Sequence, residues 1–145
     1  MKINPVRSSL PGVAMFMLGS LAVGGLLAAV QVPPLALTGA QEVPAVDTTA
    51  MGTSTIEVAT DMSVKGNVET TGIEGTMAHI HMAPRGKNGP VLITLEKQGE
   101  NRWIVPEGAH LSADQYASFK LGGLYVNVHS AAHKGGELRL QLAGG

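Results

Sequence analysis

Five histidines, His79, His81, His110, His129 and His133, are the residues of this sequence best suited to chemistry, and no cysteine accompanies them. Thiol catalysis, disulfides, thiolate metal sites and a lipid anchor on cysteine are thereby excluded. A transition metal would rest on imidazole, thioether, carboxylate or backbone ligands. His79 and His81 stand two apart in Ala78-His79-Ile80-His81-Met82, a spacing that turns both rings to one face of a strand and Ile80 to the other. In Tyr125-Val126-Asn127-Val128-His129, Val126 and Val128 take the apolar face and leave His129 beside Asn127 on the polar one. His133 follows after Ser130-Ala131-Ala132, close enough for a folded-back loop to bring it to the same point. The spacing therefore predicts that His79, His81, His129 and His133 converge on one metal ion. An imidazole-rich site without thiolate suits Cu(II), the tightest-binding of the divalent series, with one copper per domain and zinc ranked behind it. The competing reading is a set of solvent-facing histidines on a sheet surface. His110 stands alone and reads as a loop residue. Met82 turns to the opposite face, towards the core, whereas Met77 shares the His79 face and is a lesser candidate for Cu(I).

The elements that must position these rings are short strands. In Thr53 to Ala59, Ser54, Ile56 and Val58 alternate with Thr53, Thr55 and Glu57; in Val64 to Thr70, Val64, Gly66 and Val68 alternate with Lys65, Asn67 and Glu69. With Asp61-Met62-Ser63 between them, these form a hairpin with one wet face. Further strands are expected at Thr76 to Met82, Pro90 to Glu96, Arg102 to Val105, Leu124 to His129 and Glu137 to Leu142. Ser112 with Gln115 makes a capping-box pattern, and Gly122 and Gly123 close a short helix over Ser112 to Leu121. The expected fold is all-β: an antiparallel β-sandwich or Greek-key-like barrel of roughly seven or eight strands with one short helix, from about Leu37 to Leu142.

The amino end differs. Lys2 and Arg7 are the only charges before Glu42, and they precede the apolar stretch Gly12 to Val30. Basic, then apolar, then small residues is the layout of an export signal; the stretch is also just long enough for a retained membrane span. Residues 1–34 are thus expected to be a signal peptide or an anchor helix spanning residues 12–30, and residues 35–145 an exported domain, periplasmic or extracellular, held at the inner membrane in the anchor case. The chain has 145 residues, 14% charged and 3% aromatic, with a formal net charge of −1. Neither a basic surface nor a stacking platform for nucleic acid is present. No Gly-x-Ser-x-Gly elbow or Walker loop supports hydrolytic chemistry.

Leu37-Thr38-Gly39-Ala40-Gln41-Glu42-Val43-Pro44-Ala45-Val46, Ala78-His79-Ile80-His81, Asn88-Gly89-Pro90-Val91, Gly123-Leu124-Tyr125-Val126-Asn127-Val128-His129-Ser130 and Gly136-Glu137-Leu138-Arg139 follow one another in order. Together they resemble the CHRD domain, the module first described in chordin. Small departures fall at Met82-Ala83-Pro84-Arg85, where the family more often has glycine, and at Leu138 and Leu140. Bacterial members are mostly exported single domains, and animal members sit in a secreted growth-factor antagonist. The His-x-His strand with later histidines is also similar to the copper site of Cu/Zn superoxide dismutase. That analogy carries over to His79, His81, His129 and His133 alone, with superoxide or the copper ion as the small ligand; Arg139, on the polar face of the last strand, and Arg85 are the arginines nearest the histidine motifs in sequence, and Arg139 is the candidate guiding cation. A surface salt bridge of Arg139 with Glu137 or another carboxylate is the plain alternative. Three functions follow: superoxide dismutation at a mononuclear copper site, copper storage or delivery without turnover, and a structural or adhesive module whose histidines are incidental.

Overall fold

The computed structural model describes residues 35–144; residues 1–34, with the expected signal or anchor, lie outside them. Among the described residues, eleven strands are β1 (Leu35–Thr38), β2 (Met51–Ser54), β3 (Glu57–Val58), β4 (Val64–Lys65), β5 (Asn67–Thr71), β6 (Gly75–Met82), β7 (Val91–Thr94), β8 (Glu96–Lys97), β9 (Arg102–Ile104), β10 (Leu124–Ser130) and β11 (Leu138–Gln141), with one α-helix, α1 (Ala113–Lys120). Nine of them form a single sheet in the order β7-β6-β10-β11-β1-β2-β5-β9-β8, and every pairing is antiparallel. The stretch Val91 to Lys97 nearly closes it into a barrel. Its first half pairs with β6 at one edge and its second half with β9 at the other. Between the halves the Leu95 amide donates to the Ala78 carbonyl at 2.9 Å. The all-β expectation holds, in its barrel form. Among the described residues no helix is long and apolar enough to cross a membrane.

Alternation sorts the sheet into an inner apolar and an outer face. Ala78, Ile80, Leu124, Val126, Val128, Leu138, Leu37, Val68 and Trp103 are all fully buried in the core, the arrangement that period-two patterning demands. The indole of Trp103 lies over the start of β6, where any Cβ at Gly75 would collide with it. The capping box is present as expected: the Gln115 amide donates to Ser112 Oγ at 3.2 Å and the Ser112 amide to Gln115 Oε1 at 2.8 Å. The helix stops before Gly122, whose φ of +70° no β-branched residue would adopt readily.

Besides the stretch divided between β7 and β8, the two expected strands of the hairpin are each broken in two. Ser54 Oγ accepts the Ile56 amide at 3.1 Å, which ends β2 and separates it from β3, an instance of a serine side chain competing with the ladder. The hairpin nevertheless survives, with β2 on β5 and β3 on β4. Strand β1 was not expected as an element; it sits between β11 and β2, with Thr38 opposite Arg139.

Candidate metal centre

The outer face of β6, β10 and β11 carries the polar side chains as a register-matched patch. His81 stands opposite Tyr125 and His79 opposite Asn127, while Tyr125 faces Gln141 and Asn127 faces Arg139 on β11. Two register irregularities flank the patch, one between Ile80 and His81 and one between His129 and Ser130. Bulges of this kind re-aim side chains at functional sites. His129 lies diagonally across from His79, within reach of a side chain.

His79, His81 and His129 come together: one ring nitrogen from each lies within 4.8 Å of the other two. His79 Nδ1 and His129 Nε2 are 3.0 Å apart. Two ligands on one metal, each about 2 Å from it, sit about 3 Å from one another, so this pair is already at coordinating distance. The remaining nitrogens are held from behind. His129 Nδ1 faces the Lys134 carbonyl at 2.9 Å, and His81 Nδ1 faces the Gly89 carbonyl at 2.9 Å. At His129 the carbonyl takes the Nδ1 proton and leaves the Nε2 lone pair to the site, the backing that metal-binding histidines ordinarily have. His81 faces an acceptor from each nitrogen, with Nε2 3.0 Å from Asn127 Oδ1, so its neutral ring donates to only one of them.

The expected four-histidine set becomes three, because His133 falls outside the group. The turn after β10 accounts for this. The His133 amide donates to Ser130 Oγ at 3.1 Å and its carbonyl accepts from Gly136 at 3.0 Å. That closure places His133 at a separate hollow, which it lines with Glu42, Val43, Pro44 and Asn88. The loop thus serves the site through the Lys134 carbonyl. His110, as expected, is apart, bonded to the carbonyls of Asp61 and Leu111.

Arg139 is also not where a guiding cation would stand. It is 1% exposed, and its guanidinium lies 3.4 Å from the centre of the Tyr125 ring. The other face of Tyr125 stacks on His81, with centroids 4.7 Å apart and planes 2° from parallel. Imidazole, phenol and guanidinium form a three-layer stack. Arg139 donates to Asn88 Oδ1, the Lys87 carbonyl and Gln141 Oε1. The alternative partner, Glu137, is engaged elsewhere, accepting from Thr48 Oγ1 and Ser130 Oγ.

What covers this face is the surprise relative to the alternation of β11, where Arg139 and Gln141 were expected to be wet. Every residue of β10 and β11 is buried. The segment after β1 and the loop between β6 and β7 close over the patch and are tied together by Asn88 Nδ2 donating to the Val43 carbonyl at 2.7 Å. Gln141 Nε2 donates to the Ala83 carbonyl at 2.9 Å. Gly136, at φ +129°, has no Cβ to obstruct the carboxylate of Glu42 beside Asn127. Burial pushes the Glu42 carboxyl up, and the charge of Arg139 partly offsets it.

Electrostatics favour the neutral form of His79 and His129. Burial, and then the neighbouring His129 and His81, push His79 down to about 4. Burial lowers His129 as well, against the opposing bond to Lys134. Neutral imidazole is the ligating form. In the unfolded chain a histidine titrates near 6.5, so below that pH the unfolded state of the metal-free protein takes up protons that the folded state refuses. Stability should be at its full value above about pH 6.5 and fall as the pH drops towards 4. Glu42, raised by burial, works in the opposite sense. Urea unfolding of metal-free wild type and His79→Gln at pH 7.5 and 4.5 separates the two: the acid loss should be smaller in the variant, and an equal loss would exclude His79 as its source.

A nearly closed antiparallel barrel bearing three convergent histidines on its covered outer face defines a β-domain with a candidate metal centre. The CHRD domain model matches residues 34–142, and the chain belongs to that family. No curated protein and no solved structure matches it, so the likeness to the dismutase copper site rests on the histidine pattern alone. The five motifs that carried the resemblance are those that build the centre. They supply His79 and His81, the Gly89 carbonyl and Asn88, Tyr125, Asn127 and His129, the buried Glu42, and Arg139.

Proposed function

We propose that this domain, exported by its leader, binds one copper ion through His79, His81 and His129. The observation that carries the reading is the 3.0 Å approach of His79 Nδ1 to His129 Nε2, with the tautomer of His129 set by the Lys134 carbonyl. The three nitrogen donors fit copper, and the group has no cysteine or carboxylate member. Three protein ligands leave a position free for a small ligand, and His79, the half-buried member of the three, opens the site on its own side. That opening favours a second, sharper reading, dismutation of superoxide, for which copper would supply alternating one-electron chemistry. Arg139 supports this reading by holding Tyr125 against His81; its burial removes it as a surface guide.

The test is titration of the full-chain protein with Cu(II), followed by electron paramagnetic resonance. One equivalent with a nitrogen-ligated signal is expected, and a signal unchanged in His79→Ala with His81→Ala would sink the proposal. Dismutation is tested on the same loaded protein after gel filtration, because free aqueous copper is itself active. Loaded protein no faster than its double variant would leave binding, storage or delivery as the function.

A further inference from the structure

We propose that Met77 adds a fourth, thioether ligand when the ion is Cu(I), which strengthens Cu(I) binding and leaves that position open to a small ligand when the ion is Cu(II); this rests on the three-histidine reading above. Met77 precedes His79 by two residues on β6 and so shares its face, and it is the cross-strand partner of His129 on β10. It therefore flanks both members of the pair whose nitrogens are 3.0 Å apart. Directly opposed residues of antiparallel strands have Cβ atoms about 4.5–5.5 Å apart, and three rotatable bonds let a methionine sulfur sweep that distance.

Its exposure is the second observation. Met62 and Met82 pack against the core, whereas Met77 is 50% exposed beside the cluster. The other sides of the centre are closed: His81 and His129 are buried, and their Nδ1 atoms are tied to Gly89 and Lys134. His79 is the half-buried ring, so the accessible side is the one that Met77 borders. A soft thioether added to imidazoles selects Cu(I), while imidazoles alone suit divalent copper and zinc. Met77 would then discriminate between oxidation states of one metal.

The experiment compares wild type, Met77→Ala and Met77→Leu as full chains. Cu(I) affinity is measured by anaerobic competition with a colorimetric Cu(I) chelator, Zn(II) affinity by competition with a zinc dye, and the Cu(I) coordination by X-ray absorption. Both variants should lose Cu(I) affinity by at least about tenfold, the least that disturbing a metal's surroundings ordinarily causes, with Zn(II) affinity unchanged. A sulfur scatterer should be present in the wild type and absent from both. Binding of both ions with no sulfur scatterer, or with equal Cu(I) affinity in all three, overturns the thioether ligand and leaves the histidine site standing. A wild type that takes up neither ion overturns both together.

Discussion

Replacing any one of His79, His81 and His129 with alanine should lower copper affinity by more than about a hundredfold, beyond the 10–100-fold that follows from losing a second-shell partner. Each ring is a third of the donor set. His79→Ala is the cleanest of the three, because that ring is half-buried and its one hydrogen-bond contact is with His129. His81→Ala should in addition weaken the fold, since the ring links the Gly89 carbonyl to Asn127 and supports one face of Tyr125. His133→Ala and His110→Ala should leave affinity within a few-fold of wild type, and that contrast separates a three-ligand from a four-ligand site. Competition titration against a chelator reads the affinities, and circular dichroism confirms that each variant is folded. Equal losses in His133→Ala and His79→Ala would mean that the turn after β10 rearranges on binding to deliver His133 after all.

The side of the sheet on which each histidine lies was legible because strand periodicity is local: Ile80, Val126 and Val128 face the core, which fixes His79, His81 and His129 on the other face. The capping box of α1 was legible for the same reason. The covering of that face was not. Thr48 reaches Glu137 across 89 residues of chain, and Gln41 reaches Gln141 across 100, so no window of sequence contains both partners. Arg139 and Gln141 alternate with leucines as a wet face would. Only the segment after β1, folded over them, turns them into a buried polar layer, and β1 itself is too short to announce its central place. His133 failed for a related reason. Its spacing from His129 permits a return to the metal, but the Ser130 hydroxyl and the glycine turn choose another path. The family motifs contained this information in unread form, since Glu42, Asn88 and Gly89 have no patterning that marks them as supports of a histidine.

Arg139→Ala should be among the most damaging single substitutions in the domain, costing about 3–5 kcal/mol, the range for removing one member of a buried charged network. Three acceptors, Asn88 Oδ1, the Lys87 carbonyl and Gln141 Oε1, lose a donor at once, and Tyr125 loses the plane that presses it onto His81. Arg139→Lys keeps the charge but not the flat fork, so it should recover only part of the loss. The pH dependence adds a signature. With the guanidinium gone, the buried Glu42 carboxylate has lost the charge that offsets its burial, so the variant should be penalised more at pH 8 than at pH 5, where the carboxyl can hold a proton. Glu42→Gln in the Arg139→Ala background should flatten that difference. Copper affinity should fall as well, about 10–100-fold, through the loosened Tyr125 and His81. A guiding role predicts the reverse pattern: an unchanged unfolding midpoint and affinity in Arg139→Ala, with turnover slowed only at low ionic strength. Urea unfolding of the metal-free variants at the two pH values distinguishes the alternatives before any activity is measured, and an unaltered midpoint would return Arg139 to the surface role that its place in the alternating strand first suggested.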